Sequence, residues 1–388
     1  MAPPPGSIEP AARRRRSGDR LFAAACAAGL VVLAPAAARA QRQPAGDRPA
    51  NHRIDAEGRL MIWQQQLGAS AGGDRSAHDF LIRRARVAVQ ARPSERLSVT
   101  IQAGQDNVGA SFAAPDDGFT IKDAYLNYRQ ATAFQIAVGQ FKVPFLRANL
   151  ESGFNQILVD RGTLSSLRPA RQGSRDLGAM AWGNLRRSQY RLALLDGSDQ
   201  DGGDAGWRFT GRIAQNWFAS EPGLGYTGTS VGTTRVLQLA AQYDLQDARL
   251  DSRDDAAFGA QPRDYRAWAI EGYWEQPVRR WALTTEAAWL DRRDDYAGRA
   301  IDRHISGYYA QGAVLLPGAP SGRLQIAARR ENWSATREGA GDAPATRTTL
   351  GGTYYFAGHA RKIQADYTVK HGQPELRNEL RASYVVTF

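Results

Sequence analysis

The side chains of this sequence that could do chemistry are mostly arginines, placed at alternate positions of short apolar stretches. In the stretch RRARVAV, Arg84 and Arg86 alternate with alanine and valine. Such alternation puts both arginines on one face of a strand and the apolar side chains on the other. A guanidinium group keeps its charge and matches two oxygens of a phosphate-like anion. Arginines in a row along a water-filled passage therefore favour anion binding or anion conduction.

Other kinds of site have weak signals in the sequence. The stretch 196–204, DGSDQDGGD, spaces its acids like a Ca²⁺ loop but lacks the terminal glutamate, so a hairpin loop is the better interpretation. A GxSxG nucleophile motif is absent. Five histidines are scattered without HExxH or paired metal-ligand spacing: His52, His78, His304, His359 and His371. We predict no catalytic residue, no metal site, no cofactor and no nucleic-acid partner.

The first forty residues have the layout of a secretory signal peptide. A basic region with RRRR at 13–16 precedes the apolar run LFAAACAAGLVVLAPAA, and ARA at 38–40 predicts cleavage before Gln41. The leader carries six arginines and two acids, a charge of +4, so the net charge of +11 falls to +7 after cleavage. Cys26, the only cysteine, lies in this leader. A lipoprotein cysteine is the alternative, but the apolar run continues well past it. The mature chain is then predicted to fold without disulfides.

Beyond the leader, no stretch of 18 apolar residues predicts a membrane helix. Apolar and polar residues instead alternate over about ten residues at a time, a length that fits the tilted strand of a membrane-spanning barrel. Strands of soluble proteins average about 5–6 residues, which counts against a soluble exported sandwich. About sixteen such runs recur, near 59–67, 80–91, 95–105, 119–129, 132–140, 176–183, 187–195, 207–217, 234–244, 264–274, 279–290, 304–316, 322–332, 347–356, 360–370 and 377–388.

The connections between these runs alternate in length. Short ones are predicted at 91–95, 129–132, 183–187, 275–279, 317–321 and 356–360. Long ones are predicted at 68–79, 105–118, 141–175, 196–206, 245–263, 291–303 and 333–346. Short turns at one end and long loops at the other are typical of outer-membrane barrels. The stretch 218–233, FASEPGLGYTGTSVGT, breaks this rule because it is too long for a short turn. We expect a signal peptide at 1–40, a flexible segment at 41–57 and the barrel domain at 58–388.

Aromatic residues support a barrel in a membrane. Trp281 and Trp289 share the outward parity of one run, and their separation of eight residues rises roughly 20 Å along a tilted strand. That rise is close to the roughly 25 Å between the aromatic girdles of an outer-membrane barrel. The chain ends in ELRASYVVTF, whose apolar parity runs through Phe388. This ending predicts a closing strand that faces lipid and pairs on both sides.

Several segments resemble the phosphate-selective porin O and P family over about residues 80–388. The most specific is GQFKxPF within 136–145. The others are LIRRARVAV (81–89), KDAYLNY (122–128), RDLGAMAWG (175–183), ISGYYAQGAVLLPG (305–318), RLQIAARRENW (323–333) and the terminal Phe388. The resemblance implies an all-β antiparallel barrel of about 16 strands in the outer membrane of a Gram-negative bacterium. It also implies a homotrimer that passes phosphate or related anions.

The resemblance also implies residues of an anion path. The family's inward arginine pair matches Arg83 and Arg84, its acid in the DAY strand matches Asp123, and its lysine in GQFKxPF matches Lys142. Adjacent strand residues face opposite sides unless the strand bulges, so parity favours Arg84 over Arg83. Where the family has a serine-rich stretch after GQFKxPF, this chain departs and reads LRANLESGFNQ.

The long loop 141–175 is expected to fold into the barrel and narrow it, as the resemblance also implies. It carries six cations and two acids: Lys142, Arg147, Arg161, Arg168, Arg171 and Arg175 against Glu151 and Asp160. Parity turns further cations toward the lumen: Arg129, Arg191, Arg212, Arg329, Lys362, Lys370 and Arg381. We predict a constriction with anion selectivity built from Arg83, Arg84, Arg86, Asp123, Arg129, Lys142, Arg168, Arg171 and Arg175. The alternative for any one of them is a cation that merely solvates a polar wall.

Together these observations predict an outer-membrane porin, a water-filled and anion-selective diffusion channel with phosphate as the expected solute. The alternative is a general or sugar-preferring porin in which the arginines reflect genome composition. The expected partners are outer-membrane lipid, small anions, further copies in a homotrimer and the insertion machinery that would bind the strand ending in Phe388. An enzyme is disfavoured because no cluster of nucleophile, histidine and acid is visible.

Overall fold

The structure is a computed structural model that describes residues 53–69, 76–111, 118–166, 174–197, 206–249, 263–296, 303–318, 322–337, 341–372 and 377–388. The expected signal peptide lies outside the described residues. The first eight strands are β1 (Arg53–Leu67), β2 (Ala77–Arg92), β3 (Leu97–Val108), β4 (Thr120–Ala131), β5 (Phe134–Lys142), β6 (Arg175–Leu185), β7 (Ser188–Leu195) and β8 (Arg208–Asn216). The next eight are β9 (Val236–Arg249), β10 (Arg263–Val278), β11 (Trp281–Tyr296), β12 (Arg303–Leu315), β13 (Arg323–Arg337), β14 (Gly341–Ala357), β15 (Arg361–His371) and β16 (Glu379–Thr387).

These strands close into one antiparallel barrel. Each strand pairs with its neighbours in sequence, and β1 pairs with β16 to complete the ring. The predicted all-β barrel of about sixteen strands is therefore confirmed. In the described part of the chain, no helix is long and apolar enough to cross a bilayer.

The two faces of the wall follow the alternation in the sequence. Outward apolar side chains are open to the surroundings, as Val87 and Ile101 show with 51% and 48% exposure. Trp281 and Trp289 both lie on this outer face of β11, 46% and 41% exposed. A soluble protein rarely exposes so continuous an apolar surface, whereas a barrel surrounded by lipid requires one.

The last strand closes the barrel as its parity predicts. Leu380 and Tyr384 point outward, while Arg381 and Ser383 between them are buried on the inner face. The Phe388 amide donates to the Gly58 carbonyl at 2.9 Å, and the Gly58 amide donates back at 2.8 Å. The end of the chain is thus held by backbone pairing, because a closed barrel leaves no free edge.

The strands reach further at the long-loop end than the sequence predicts. Strand β11 continues to Tyr296 and β13 to Arg337, inside stretches expected to be loops. Residues 291–295 are charged on both faces, so hydrophobic alternation could not mark them, yet their pairing with β10 continues. At the other end of the domain, β1 begins at Arg53 rather than at residue 58. The described tight turns are 93–96, 132–133, 186–187, 279–280 and 358–360.

The apolar core lies inside the barrel, beneath a loop that folds inward. This connection between β5 and β6, residues 143–174, is called loop three, and it includes α1 (Arg147–Leu150) and a 3-10 turn (Leu164–Ser166). Phe145 and Leu146 are fully buried against inward side chains of the wall. Loop three also reaches the far wall, where the Val159 amide donates to Asp366 at 2.9 Å.

A second connection enters the lumen from the tight-turn end. It links β8 to β9 and comprises residues 217–235, called here the inserted segment. The stretch that breaks the loop-length rule belongs to this segment. Its Tyr226 is 4% exposed and forms an isolated bridge with Glu151 of loop three. The length of the segment therefore serves a crossing of the lumen rather than a turn.

Candidate functional site

A cavity of about 840 Å³ lies between loop three and the wall formed by β1 to β6. Of the described residues that line it, eight are cationic and three are acidic. We call this set the cationic cleft: Arg59, Arg83, Arg84, Arg86, Lys122, Lys142, Arg161 and Arg175, with Asp106, Asp123 and Asp160. The excess of five positive charges makes the cleft attractive to anions.

A bulge brings the adjacent residues Arg83 and Arg84 into the cleft together. In the pairing of β2 with β1, Met61 opposes Arg84 and Ile62 opposes Ile82, so Arg83 has no partner residue. Such a bulge re-aims the extra side chain. Both guanidinium groups reach the carboxylate of Asp160 on loop three, at 3.1 Å from Arg83 and 3.0 Å from Arg84.

A second bulge, on β4, also brings two adjacent charged residues into the cleft. Gln102 opposes Asp123 and Ala103 opposes Ile121, so Lys122 is the extra residue that the bulge inserts into β4. Lys122 is 7% exposed and lines the cleft beside Asp123. Two bulges thus place two pairs of adjacent charged residues in one cavity, which strict alternation would have forbidden.

The other acids of the cleft each hold an arginine. Arg175 donates to both oxygens of Asp123 at 2.9 and 2.8 Å, which is the bidentate geometry of a guanidinium–carboxylate pair. Arg86 pairs with Asp106 at 2.6 Å. These carboxylates fix the arginines in position along the wall while leaving the cleft with a positive excess.

Lys142 and Arg161 share an acceptor that carries no charge. The Lys142 ammonium donates to the Glu151 carbonyl at 2.6 Å, and Arg161 donates to the same oxygen at 2.7 Å. Two cations that converge on one carbonyl leave a local positive charge that an anion can neutralise. Burial and then Arg84 lower the pKa of the Arg161 guanidinium to about 9, so it remains charged at neutral pH.

Asp160 remains ionised beside these cations. Burial alone would raise the pKa of this carboxyl, but Arg84 and Arg83 hold it well below its ordinary value. Its side chain is 17% exposed, so the carboxylate faces the open cavity.

The structure brings six of the predicted constriction residues to the cleft: Arg83, Arg84, Arg86, Asp123, Lys142 and Arg175. It does not bring Arg129 there. Arg129 lies near the tight-turn end of β4, where it is exposed and donates to the Glu95 carbonyl at 3.1 Å. The alternation predicted that Arg129 faces the lumen, but it could not predict how far along the barrel axis the residue lies. Arg168 and Arg171 lie outside the described residues.

Sequence reasoning missed Arg59, Lys122 and the pairing of Asp160 within the cleft. Arg59 lies on β1, where its guanidinium donates to the Ser152 hydroxyl of loop three at 3.0 Å. Its run contains no second arginine, so no row of cations marked it. Lys122 belongs to KDAYLNY, but only a bulge turns it inward.

Opposite the cleft, cations and acids of β7, β8, β10 and β11 meet loop three in a packed group. We call this the buried cluster: Arg147, Arg191 and Arg212 with Glu151, Glu271, Glu275 and Glu286. Arg147 pairs with Glu151 at 2.9 Å, and Arg212 pairs with Glu271. Arg191 and Arg212, which parity placed on the lumen side, are therefore inward but enclosed.

Residues 54–382 match the model of a protein family described as phosphate-selective porin O and P. An uncharacterized protein of Aquifex aeolicus (strain VF5) is 24% identical over 271 residues, which cover 64% of this chain. The chain spans about 62% of the length of this curated relative.

Solved porin structures share the fold at low sequence identity. OmpT of Vibrio cholerae, an outer membrane protein solved in a trimer form, has a TM-score of 0.55 at 10% identity, covering 87% of this chain and 99% of its own. An anion-selective porin from Comamonas acidovorans has a TM-score of 0.56 at 12% identity, with coverage of 87% and 100%. The outer membrane channel DcaP of Acinetobacter baumannii has a TM-score of 0.55 at 13% identity, with coverage of 89% and 100%.

Proposed function

Since the chain belongs to the phosphate-selective porin O and P family and folds as an outer-membrane porin, we propose that it conducts small anions selectively by passive diffusion. The observation that carries the proposal is the charge of the cationic cleft, eight cations against three acids around an open cavity. Fixed cations at a narrow point attract anions and repel cations, so charge selects what passes.

The geometry of the cleft suits a tetrahedral oxyanion such as phosphate. Arg84, Arg161 and Arg175 line the cavity with planar guanidinium groups, and each would share its N–H donors between its protein partners and the ion. Lys142 adds a point charge beside Arg161, with which it shares the Glu151 carbonyl. An ion can leave such a site because Asp106, Asp123 and Asp160 already take part of the positive charge. Conduction needs this balance, since a site that binds too tightly does not release its ion.

We further propose that the protein assembles as a homotrimer inserted in outer-membrane lipid. The trimer form of OmpT, a protein of the same fold, supports the trimer. The continuous apolar outer face supports the lipid contact. The strand that ends in Phe388 is the segment we expect the insertion machinery to bind, since its terminal aromatic residue is 80% exposed.

A planar bilayer tests the proposed selectivity directly. With purified protein and a KCl gradient, we expect a reversal potential close to that of chloride, and a chloride current that added phosphate lowers. A reversal potential on the potassium side would contradict anion selectivity. A chloride-selective current that is indifferent to phosphate would leave the anion channel in place and remove phosphate as its preferred ion. Equal permeability to both ions would favour the general or sugar-preferring porin.

A further inference from the structure

The inserted segment spans the lumen at an end of the barrel where the described turns are short. It has 19 residues, 217–235, between Asn216 of β8 and Val236 of β9. On the far side, Arg323 of β13 donates to the Val231 carbonyl at 2.9 Å, and His359 in the β14–β15 turn contacts the Thr229 carbonyl at 2.8 Å. The segment therefore runs from one wall to the opposite wall.

In the middle of the lumen, the inserted segment meets loop three. The Tyr226 amide donates to the Leu150 carbonyl at 3.3 Å. The Asn155 side chain donates to the Thr227 carbonyl at 2.7 Å. At Gly228, φ is +98° and an added Cβ would lie 2.6 Å from the Asn155 carbonyl, so only glycine permits this approach. Loop three and the inserted segment enter the barrel from opposite ends and join here. We call the two together the divider.

Tyr226 separates the two halves of the lumen. On one side, Leu224, Gly225 and Tyr226 line the cationic cleft. On the other side, the Tyr226 hydroxyl accepts hydrogen bonds from Arg212 at 2.7 Å and Arg191 at 3.1 Å. Three guanidinium groups surround its ring, with Arg147 only 4.4 Å from the ring centre.

The balance of cations and acids is different among the residues that the divider covers and among those that line the open cavity. The buried cluster has three arginines and four glutamates and therefore no excess of positive charge, whereas the cleft has eight cations against three acids. Glu275 shows how closely the segment covers these acids, since it accepts hydrogen bonds from the Ser230 amide at 2.8 Å and the Gly232 amide at 3.0 Å. Without the segment, ions in the lumen would meet carboxylates that they do not meet now.

We propose that the inserted segment is a selectivity partition, with Leu224, Gly225 and Tyr226 as the inner wall of the anion path. It confines permeating ions to the cationic cleft and excludes them from the glutamates of the buried cluster. This inference rests on the proposed anion channel. Its distinctive consequence is that removal of the segment widens the path and weakens anion preference at the same time.

A shortened hairpin tests the partition. The β8–β9 pairing continues to Ala219 and Arg235, where the Ala219 amide donates to the Arg235 carbonyl at 3.1 Å. An Asn-Gly turn in place of residues 220–234 can therefore close the hairpin. We expect single-channel conductance to rise by about twofold or more, with a lower anion-to-cation permeability ratio. Unchanged conductance in a barrel that keeps heat-modifiable gel migration would overturn the proposal.

If the shortened barrel does not fold, a cysteine probe tests whether Leu224 lines the anion path. In a Cys26→Ser background, Leu224→Cys places a thiol on the inner wall, and Thr233→Cys places one at an exposed position of the same segment. A negatively charged sulfonatoethyl thiosulfonate reagent should reduce chloride current at position 224 and leave it unchanged at position 233. Equal responses at the two positions would overturn the proposal.

Failure of the partition and failure of the proposed function give different results. A wild-type channel without anion preference would remove the function, whatever the segment does. An anion-selective wild type whose selectivity survives the shortened hairpin would leave the function in place and remove the partition. The permeability ratio of the wild type is therefore measured first, and each variant is compared with it.

Discussion

Arginines and acids occur in both halves of the lumen, but they line an open cavity in one half and are enclosed in the other. In the cationic cleft, arginines and lysines line an open cavity of about 840 Å³, and their charges exceed those of the acids. In the buried cluster, Arg147 and Arg212 are enclosed and paired with glutamates, while Tyr226 and backbone carbonyls satisfy Arg191. An inward guanidinium group can therefore attract a dissolved anion only where the cavity is open to water and acids do not neutralise the positive charge. The buried arginines instead attach loop three and the inserted segment to the wall.

The largest expected difference between the halves is in stability. Arg212→Met leaves the buried Glu271 carboxylate without its ion-pair partner, and we expect a loss of about 3–5 kcal/mol in unfolding free energy. Arg86→Met is the matched change in the cleft. Its partner Asp106 is 22% exposed and can regain water, so we expect a loss of about 1 kcal/mol. Urea unfolding in lipid vesicles, followed by tryptophan fluorescence, measures both. Equal losses would break the distinction between the halves.

The anion-to-cation permeability ratio should depend on the cationic cleft rather than on the buried cluster. A variant with Arg84→Gln, Lys142→Gln and Arg175→Gln removes three charges from the cleft. A charge about 6 Å from the ion contributes ~3 kcal/mol at an effective dielectric constant of about 20, and salt screening reduces this. We expect the anion-to-cation permeability ratio to fall about tenfold, which corresponds to ~1.4 kcal/mol.

Arg191→Gln is the control for that change, because it removes an equally inward cation from the buried cluster. We expect the permeability ratio of this variant to stay at the wild-type value in the same bilayer experiment. A similar fall in both variants would show that any inward arginine contributes to selectivity, which the structure argues against.

Asp160 should weaken anion binding within the cleft. Its carboxylate lies 3.0 Å from Arg84 and 3.1 Å from Arg83, where it competes with a permeating anion. We expect Asp160→Asn to lower the half-blocking concentration of phosphate by about 3–10-fold, because two guanidinium groups lose their internal counter-ion. The phosphate concentration that halves the chloride current is the quantity to measure.

Asp366→Asn separates this charge effect from a displaced loop. Asp366 attaches loop three through the Val159 amide at 2.9 Å and also pairs with Arg381. Neither Asp366 nor Arg381 lines the cleft, so Asp366→Asn can shift loop three without removing any charged residue that lines the cleft. If both variants changed the phosphate response alike, loop position rather than the Asp160 charge would be the cause.

The smallest expected effect is a dependence of stability on pH that belongs to the buried cluster. Burial, and then Glu286, raise the pKa of the Glu151 carboxyl from 4.5 to about 8. The folded protein therefore holds a proton that the unfolded chain releases above pH 4.5, so this group's contribution to stability falls as pH rises toward 8. We expect Glu151→Gln to flatten the decline in unfolding free energy across that range. An unaltered slope would contradict the assignment.

The strands could be predicted from the sequence because each repeats one local pattern. The alternation around Val87 or Ile101 fixes which face is apolar without knowledge of any other strand. The same logic placed Arg84 and Arg86 on the inner face. It failed for the charged end of β11, where both faces are polar and only backbone pairing defines the strand.

The cleft and the divider could not be predicted by that route, because they depend on contacts between distant parts of the chain. The inward turn of Arg83 and Lys122 requires bulges, which are defined by the partner strand rather than by the residue itself. Asp160 meets Arg84 only because loop three folds back across 76 positions of sequence. The inserted segment was marked by its length alone, and its role follows from its contacts with loop three.

Anomalous scattering from bromide tests most directly whether anions follow the cationic cleft. In crystals of the wild-type protein soaked with bromide, we expect anomalous peaks in the cavity beside Arg84, Arg161 and Arg175. We expect none beside Arg191 or Arg212, because Tyr226 and the glutamates enclose them. Peaks in the buried cluster, or an empty cleft in an anion-conducting protein, would contradict the account.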